Sequence, residues 1–317
     1  MKKTKIIFMG TPDFALPSLQ TLLEDQDFEV INVITQEDKK VGRKQEITAP
    51  PIKQLALKHG ISVLQPAKIK GNQKFIELVK NLHPDIFVVI AYGQILPLEF
   101  IKIAPYGAIN IHASLLPKYR GASPIEAALL NGDTETGVTV MKIIPKLDAG
   151  DILELAKLPI EPADNAESLT VKLSLLGGKI LPYIIKDYIA GEIHPISQNE
   201  KTASFCHKIA KDDGLIDLHK LTAREIFNRV RAYTPWPSVF LNVENKMLKL
   251  LVIDIDEKMD LHPGAVKELS KNEVAIGTKK GALIPRMLQL EGKKPMTTQE
   301  FLAGNRALLS KLLTKPK

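Results

Sequence analysis

Ile86-Phe87-Val88-Val89-Ile90, running into Ala91-Tyr92-Gly93, is the stretch whose reading decides the fold. Five apolar residues in a row without polar alternation describe a strand covered on both faces, as in the centre of a parallel sheet. On either side of it, short β-branched runs alternate with amphipathic stretches. Strands are predicted at Ile6–Met9, Val30–Thr35, Ser62–Gln65, Ile86–Ala91, Ala108–Ile111 and Gly137–Ile144. Helices are predicted between them near Leu16–Asp25, Ile52–His59, Gln73–Leu82 and Pro124–Asn131, each with apolar residues three and four apart. That alternation predicts an α/β fold with a doubly wound, mostly parallel sheet. Ligands of such sheets bind beyond the carboxyl ends of the strands, where the strand order reverses, so the loops after the strands are the place to look for chemistry.

A long helix over Ala166–Ala190 is expected to close the first domain at residues 1–190, with a polar linker over 191–212. Beyond it one helix, Ala223–Ala232, precedes short strand-like runs at Val239–Val243, Met247–Ile255, Gly264–Leu269, Glu273–Ile276 and Ala282–Leu290. This spacing predicts a small antiparallel barrel or sandwich over residues 213–317. Two domains suit a chain of 317 residues, since one domain usually holds about 100–200. Hydrophobic residues make up 44% and charged ones 25%, which excludes disordered and fibrous classes.

The apolar run Ile6–Met9 is too short for a signal-peptide core, and no apolar run is expected to approach the roughly 20 residues that cross a bilayer. Cys206 is the only cysteine, which excludes an intrachain disulfide or a thiolate zinc cluster. The expected compartment is the cytoplasm, with no membrane partner. The seven histidines, at 59, 83, 112, 194, 207, 219 and 262, show no ligand spacing, so no metal is expected. Net charge is +7, and it is unevenly placed: 22 Lys and Arg oppose 21 Asp and Glu up to residue 190, and 21 oppose 15 beyond it. The tail from Phe301 holds Arg306, Lys311, Lys315 and Lys317 and no acid. Charge alone leaves two readings open, a partner with a phosphate backbone and a solvated basic surface.

Three loops hold the candidate chemistry. Asn110 and His112 lie two apart at the end of a predicted strand, so their side chains project to one face while Ile109 and Ile111 face the other. Taken singly, His112 is equally a structural histidine and Asn110 a turn or cap. Pro145-Lys146-Leu147-Asp148-Ala149-Gly150-Asp151 follows the next strand, which is expected to bring Asp148 to the same sheet edge; ordinary turn chemistry would also account for it. Ala91-Tyr92-Gly93-Gln94-Ile95-Leu96-Pro97 follows the central strand, with Gly93 allowing backbone to approach a flat ligand.

Together with Gly10-Thr11-Pro12-Asp13-Phe14-Ala15, Ser114-Leu115-Leu116-Pro117 and Ala232-Tyr233-Thr234-Pro235-Trp236-Pro237, these stretches resemble the formyltransferase family that uses 10-formyltetrahydrofolate. The likeness spans nearly the whole chain. It implies a Rossmann-like formyltransferase domain followed by an oligonucleotide-binding type of barrel, and it places the family's catalytic Asn, His and Asp on Asn110, His112 and Asp148. Its folate pocket falls on Ile90, Tyr92, Gly93, Leu96, Ser114, Leu115, Leu116, Pro117, Lys142 and Leu147. The acceptor implied is the amino group of methionyl-initiator-tRNA, with Phe14, Lys39, Lys40, Arg43 and Lys44 touching the tRNA or its aminoacyl end and the chain acting as a monomer. One departure is Leu218 after Ile216-Asp217, where similar chains often have Trp; it bears on barrel packing.

The chemistry is consistent with the residues themselves. An amine attacking a formyl carbon creates negative charge on oxygen and positive charge on nitrogen, and so needs donors at one and a proton acceptor near the other. Asn110 supplies an uncharged donor, protonated His112 a second, and Asp148 would orient the ring and favour its charged form. The acceptor is argued from Lys39-Lys40-Val41-Gly42-Arg43-Lys44, four cations in six residues, which a small amine would not need and an arriving polynucleotide would. A solvated loop remains the alternative. Trp236, between two prolines, reads as a packing residue joining helix to barrel in preference to a base-stacking platform. Two rivals remain: a formyltransferase acting on another amine, and a dehydrogenase or passive RNA binder. Gly10-Thr11-Pro12 departs from the Gly-x-Gly-x-x-Gly fingerprint and so disfavours dinucleotide binding.

Overall fold

The computed structural model describes residues 2–42, 45–244 and 246–309. Arg43 and Lys44 of the basic loop, and Lys311, Lys315 and Lys317 of the tail, lie outside the described residues. Two compact units form: one from Met1–Pro124, Glu135–Pro159 and Thr170–Cys206, the other from Ile125–Thr134, Ile160–Leu169 and His207–Lys317.

In the first unit the strands are β1 (Thr4–Gly10), β2 (Phe28–Ile34), β3 (Lys39–Val41), β4 (Glu46–Thr48), β5 (Val63–Leu64), β6 (Ile86–Ile90), β7 (Ala108–His112), β8 (Arg120–Gly121), β9 (Glu135–Lys142), β10 (Ile152–Pro159) and β11 (Phe205–Cys206). Seven of them form one sheet in the order β10-β9-β7-β6-β1-β2-β5. β5, β2, β1, β6 and β7 run parallel, and β9 and β10 add an antiparallel edge. The central strand β6 is buried throughout, as its unbroken apolar sequence requires. From β1 the chain goes to β2 and β5 on one side and to β6 and β7 on the other, so the order reverses between β1 and β6. The switch point thus falls beside the loops at Thr11 and Tyr92.

The expected helices are α1 (Leu16–Glu24), α2 (Pro51–Lys58), α3 (Gln73–Lys80), α5 (Pro124–Leu130) and α6 (Ala166–Ala190), and the four-residue α4 (Leu98–Ile101), which the sequence did not reveal, lies between α3 and α5 in the chain. Phe75 of α3, Phe87 of β6 and Phe100 of α4 stack in one core cluster, with ring centroids 6.2 Å and 4.8 Å from the Phe100 ring. α6 corrects one expectation: by length and composition it is apolar enough to cross a membrane. Its apolarity has a local cause, because Leu173, Leu181, Ile184 and Ile185 are buried and Gly177 and Gly178 bring the helix against β7 and α1. A Cβ on Gly177 would lie 3.1 Å from Ile111 Cγ2, and one on Gly178 would lie 2.8 Å from the Pro17 backbone. Strand β10 was not expected from the sequence. It is an edge strand whose polar alternation and terminal Pro159 weaken the apolar signal.

The second unit holds α7 (Ala223–Ala232), the strands β12 (Val239–Val243), β13 (Lys246–Asp256), β14 (Val266–Ser270), β15 (Glu273–Gly277), β16 (Ala282–Leu290) and β17 (Met296–Thr297), and α8 (Thr298–Leu309). Its six strands form an antiparallel sheet in the order β12-β13-β16-β15-β14, with β17 paired to β16. A capping box starts α7: Thr222 Oγ1 accepts from the Glu225 amide at 3.2 Å, and the Glu225 carboxylate accepts from the Thr222 amide at 2.7 Å. Leu218 is buried in this unit. The packing role expected for Trp236 is corrected, for its side chain is 58% exposed. The tight turn after α7, in which the Ser238 amide donates to the Tyr233 carbonyl at 2.9 Å, turns Trp236 outward and leaves Tyr233 as the buried aromatic.

Candidate active site

Strand β7 delivers two of the candidate residues by simple alternation. Ile109 and Ile111 are buried on the face covered by α6, which leaves Asn110 and His112 on the other. The amide of Asn110 is half-buried and takes no hydrogen-bond partner among the described residues. His112 is buried, with Nε2 at 2.9 Å from the Tyr119 carbonyl oxygen and Nδ1 at 3.7 Å from Asp148 Oδ2. The Tyr119 carbonyl can only accept, so Nε2 donates to it, whereas 3.7 Å is too long for a hydrogen bond and leaves Nδ1 facing Asp148 without a direct bond.

Asp148 reaches His112 by a route the sequence did not reveal. Because β9 is antiparallel to β7, Thr139 pairs with His112 and Lys142 with Ile109, so β9 ends beside the start of β7. The expectation that the loop after this strand opens at the carboxyl edge is therefore corrected. Residues 143–151 double back instead: the Lys142 amide donates to the Asp151 carbonyl at 2.9 Å. Gly150 makes the reversal feasible, since a Cβ there would sit 1.8 Å from the Lys142 carbonyl oxygen. Asp148 occupies the left-handed region at φ 46°, and its Oδ2 accepts from the Gly121 amide at 2.8 Å.

The loop after β7 is braced from within. Thr139 Oγ1 donates to the Ser114 carbonyl at 2.6 Å and accepts from the Leu116 amide at 3.0 Å, and Ser114 Oγ donates to the Lys118 carbonyl at 2.6 Å. Ser114 is therefore fully engaged in shaping the loop. At the switch point, Thr11 Oγ1 and Gln36 Nε2 donate to the Tyr92 carbonyl at 3.2 Å and 2.9 Å, tying together the loops after β1, β2 and β6. Burial pushes the Tyr92 hydroxyl proton affinity up, and the ring lies in the core, so Tyr92 is available to a ligand chiefly through its main chain.

The residues expected to line a folate pocket divide into two sets. Ile90, Tyr92, Leu96, Ser114 and Leu116 are buried and back the loops. Gly93, at φ 85°, and Leu147 are exposed, and Leu115, Pro117 and Lys142 are half-buried. The exposed Ile95, Ile144 and Leu147 add apolar surface on the same loops. Phe14 is half-buried in the turn after β1. Lys39 and Lys40 lie not in an open loop but on a two-stranded hairpin, where Lys39 pairs with Thr48 and Lys40 with Ile47. Lys39 donates to Gln36, and the base of the hairpin is held by the Lys53–Asp38 ion pair at 2.8 Å.

A further set of residues at this site went unread in the sequence. The stretch assigned to a linker is bonded to the loops after β7 and β9. Ile196 and Ile152 exchange backbone bonds at 2.8 Å and 2.9 Å, Ser204 Oγ accepts from the Tyr119 amide at 2.9 Å, and β11 pairs with β8. Arg120, wholly buried, donates to Gln198 Oε1 and to both carboxylate oxygens of Glu200. With Lys146 also at 2.8 Å, these cations hold the Glu200 carboxyl at about 2. Polar residues in a Gly-flanked segment carry no periodic signal, which is why this stretch looked like a linker. Among the described residues no three His, Cys, Asp or Glu side chains converge as a metal-ligand set.

A family model described as formyl transferase matches residues 2–185, and one described as formyl transferase, C-terminal domain matches residues 208–306. The chain is 41% identical over 302 residues to a methionyl-tRNA formyltransferase of Caldicellulosiruptor saccharolyticus, covering 94% of this chain and 96% of that one. It is 41% identical over 303 residues to that of Bacillus subtilis, covering 95% of each. Among solved structures, the sugar 3N-formyl transferase WlaRD, crystallised in the presence of dTDP and 5-N-formyl-THF, superposes with a TM-score of 0.67 over 93% of this chain and 100% of its own. At 23% identity that likeness speaks to the fold. HypX from Aquifex aeolicus, in complex with tetrahydrofolic acid, superposes with a TM-score of 0.61 at 17% identity, over 95% of this chain and 47% of its own. The chain belongs to the formyl transferase family, and within it to the methionyl-tRNA formyltransferases.

Proposed function

We propose that the chain transfers the formyl group of 10-formyltetrahydrofolate to the free amino group of methionyl-initiator-tRNA, giving the N-formylmethionyl-tRNA used to initiate translation. The observation that carries this reading is the His112–Asp148 pair with Asn110, whose amide has no hydrogen-bond partner among the described residues, on the same face of β7 as His112, in a chain so close to methionyl-tRNA formyltransferases. The folate supplies an activated formyl carbon. Asn110 donates to the formyl oxygen as negative charge builds there. With Nε2 held on the Tyr119 carbonyl, His112 presents Nδ1, 3.7 Å from Asp148, to donate the second bond and then give a proton to the departing folate nitrogen. The proton that the amine loses as the new C–N bond forms returns to His112, so the ring ends the reaction as it began. Asp148, with Oδ2 3.7 Å from Nδ1, keeps the ring oriented.

In this reading the loops at Tyr92–Leu96, Ser114–Pro117 and Lys142–Asp148 hold the folate. Gly93 admits backbone close to a flat ring, and Ile95, Ile144 and Leu147 offer apolar side chains for it to cover. Phe14 lies by the aminoacyl end, and Lys39, Lys40, Arg43 and Lys44 meet tRNA phosphates. Incubation with 10-formyltetrahydrofolate and either charged or uncharged initiator tRNA tests the proposal. Formylated product is expected from the charged tRNA alone. Preferential transfer to an amino sugar nucleotide or to glycinamide ribonucleotide would assign the acceptor to another class.

A further inference from the structure

Gln198 lies between the loop after β7 and the loop after β9, and its one side-chain amide bonds to both. Its Nε2 donates to the carbonyl oxygens of Asp148 at 2.9 Å and Gly150 at 2.7 Å, within the loop that doubles back from β9. Its Oε1 accepts from Arg120 Nε at 3.0 Å and Nη2 at 2.7 Å. Arg120 in turn separates the two residues that hold the catalytic pair. Tyr119 offers its carbonyl to His112, and Gly121 offers its amide to Asp148. One side-chain amide therefore joins the backbone carrying Asp148 to the backbone that anchors His112.

We infer that Gln198, held by the buried Arg120, is a positioning residue that sets the His112–Asp148 geometry for formyl transfer. This rests on the formyl-transfer reading of the site. Asp148 is the residue that most needs such support, because its φ of 46° is a conformation that non-glycine residues adopt only when the surroundings impose it. The two carbonyl acceptors of Asp148 and Gly150 fix the loop on the inside, and the Lys146–Glu200 pair fixes it on the outside. A displacement of about 1 Å at a reacting group is enough to cost about 100-fold in rate, so a residue that touches no substrate can still govern turnover.

The discriminating variant is Gln198→Glu. It keeps an acceptor for Arg120 but replaces the amide donor with a carboxylate facing two carbonyl oxygens. If Gln198 merely satisfied the buried guanidinium, glutamate would serve as well. If it positions Asp148, kcat should fall about 10–100-fold, with KM for folate and tRNA and the melting temperature near those of the unmodified protein. Gln198→Ala should lose the same factor in kcat, and Gln198→Glu should not rescue it. A second readout does not depend on activity: the ¹⁵N signals of the His112 ring in the free protein should move in Gln198→Glu, while those of the other six histidines stay in place. Inactivity of the unmodified protein would count against the formyl-transfer reading, and the ring signals would still test the clamp. Wild-type kcat in Gln198→Glu, a change confined to KM, or unmoved His112 signals would overturn the inference.

Discussion

Asn110 and His112 reach the site through the simplest rule in protein structure, two residues apart on one strand, whereas Asp148 reaches it only because Gly150 lets a loop fold back on the strand that precedes it. The sequence displayed the first relation and concealed the second. Asp148 was placed correctly for a mistaken reason, since an antiparallel β9 cannot be told from a parallel strand by composition. The residues differ accordingly in what their loss should do. Asn110→Ala removes one donor to the developing oxyanion and is expected to lower kcat by about 10²–10³ without moving the melting temperature; His112→Ala should cost at least as much. Single-turnover rates with saturating folate and tRNA measure both, and a folded variant that turns over at the normal rate would rule out the proposed roles. Gly150→Ala should behave differently, because its methyl would collide with the Lys142 carbonyl. A loss of about 1–3 kcal/mol in stability is expected, and the displaced loop should take most of the activity with it. Denaturant melts alongside kinetics would separate the two effects.

Among the elements, the buried strand β6 and the amphipathic helices were legible because burial on two faces or on one stripe leaves a periodic trace. Elements that owe their place to polar bonds left none. The segment from Ile196 to Cys206 looks like a linker in sequence and acts as a strap, bonded at Ile152, Tyr119, Arg120 and Lys146. Trp236 misled for a related reason: hydrophobicity alone predicts burial, but the turn closed by Ser238 decides the direction of the side chain. The strap also makes a pH dependence predictable. The Arg120 and Lys146 cations hold the Glu200 carboxyl at about 2, below its ordinary value of 4.5. A carboxyl depressed in the folded state adds stability that is fully present above its unfolded value and is lost as pH falls towards the folded one. The difference in melting temperature between the unmodified protein and Glu200→Gln should therefore be constant above pH 4.5 and shrink between 4.5 and about 2. A difference that persisted to pH 2 would mean that Glu200 does not act through its charge.

At the scale of the whole molecule, the question is how a polynucleotide is told from a small amine carrying the same reactive nitrogen. The net charge of +7 attracts any anion, and phosphate contacts are distinguished from that general attraction by their salt dependence, because each one releases counterions on binding. Lys40 is the cleanest probe among the described cations. It is exposed on the hairpin strand β3, opposite Ile47, whereas Lys39 is already engaged by Gln36. Lys40→Ala is expected to flatten the log–log dependence of tRNA affinity on salt by about 0.7–0.9 for one lost phosphate contact. Arg43→Ala should do the same if Arg43 contributes a contact of its own. Folate affinity should be nearly unchanged in both, since its proposed loops follow β6, β7 and β9 and not β2. Titrations of tRNA and of folate at a series of ionic strengths, on the unmodified protein and each variant, measure the two slopes separately. A slope for tRNA that stays the same when Lys40 and Arg43 are both removed would make the hairpin a solvated surface and shift acceptor selection to the part of the chain beyond residue 190, where 21 cations oppose 15 acids.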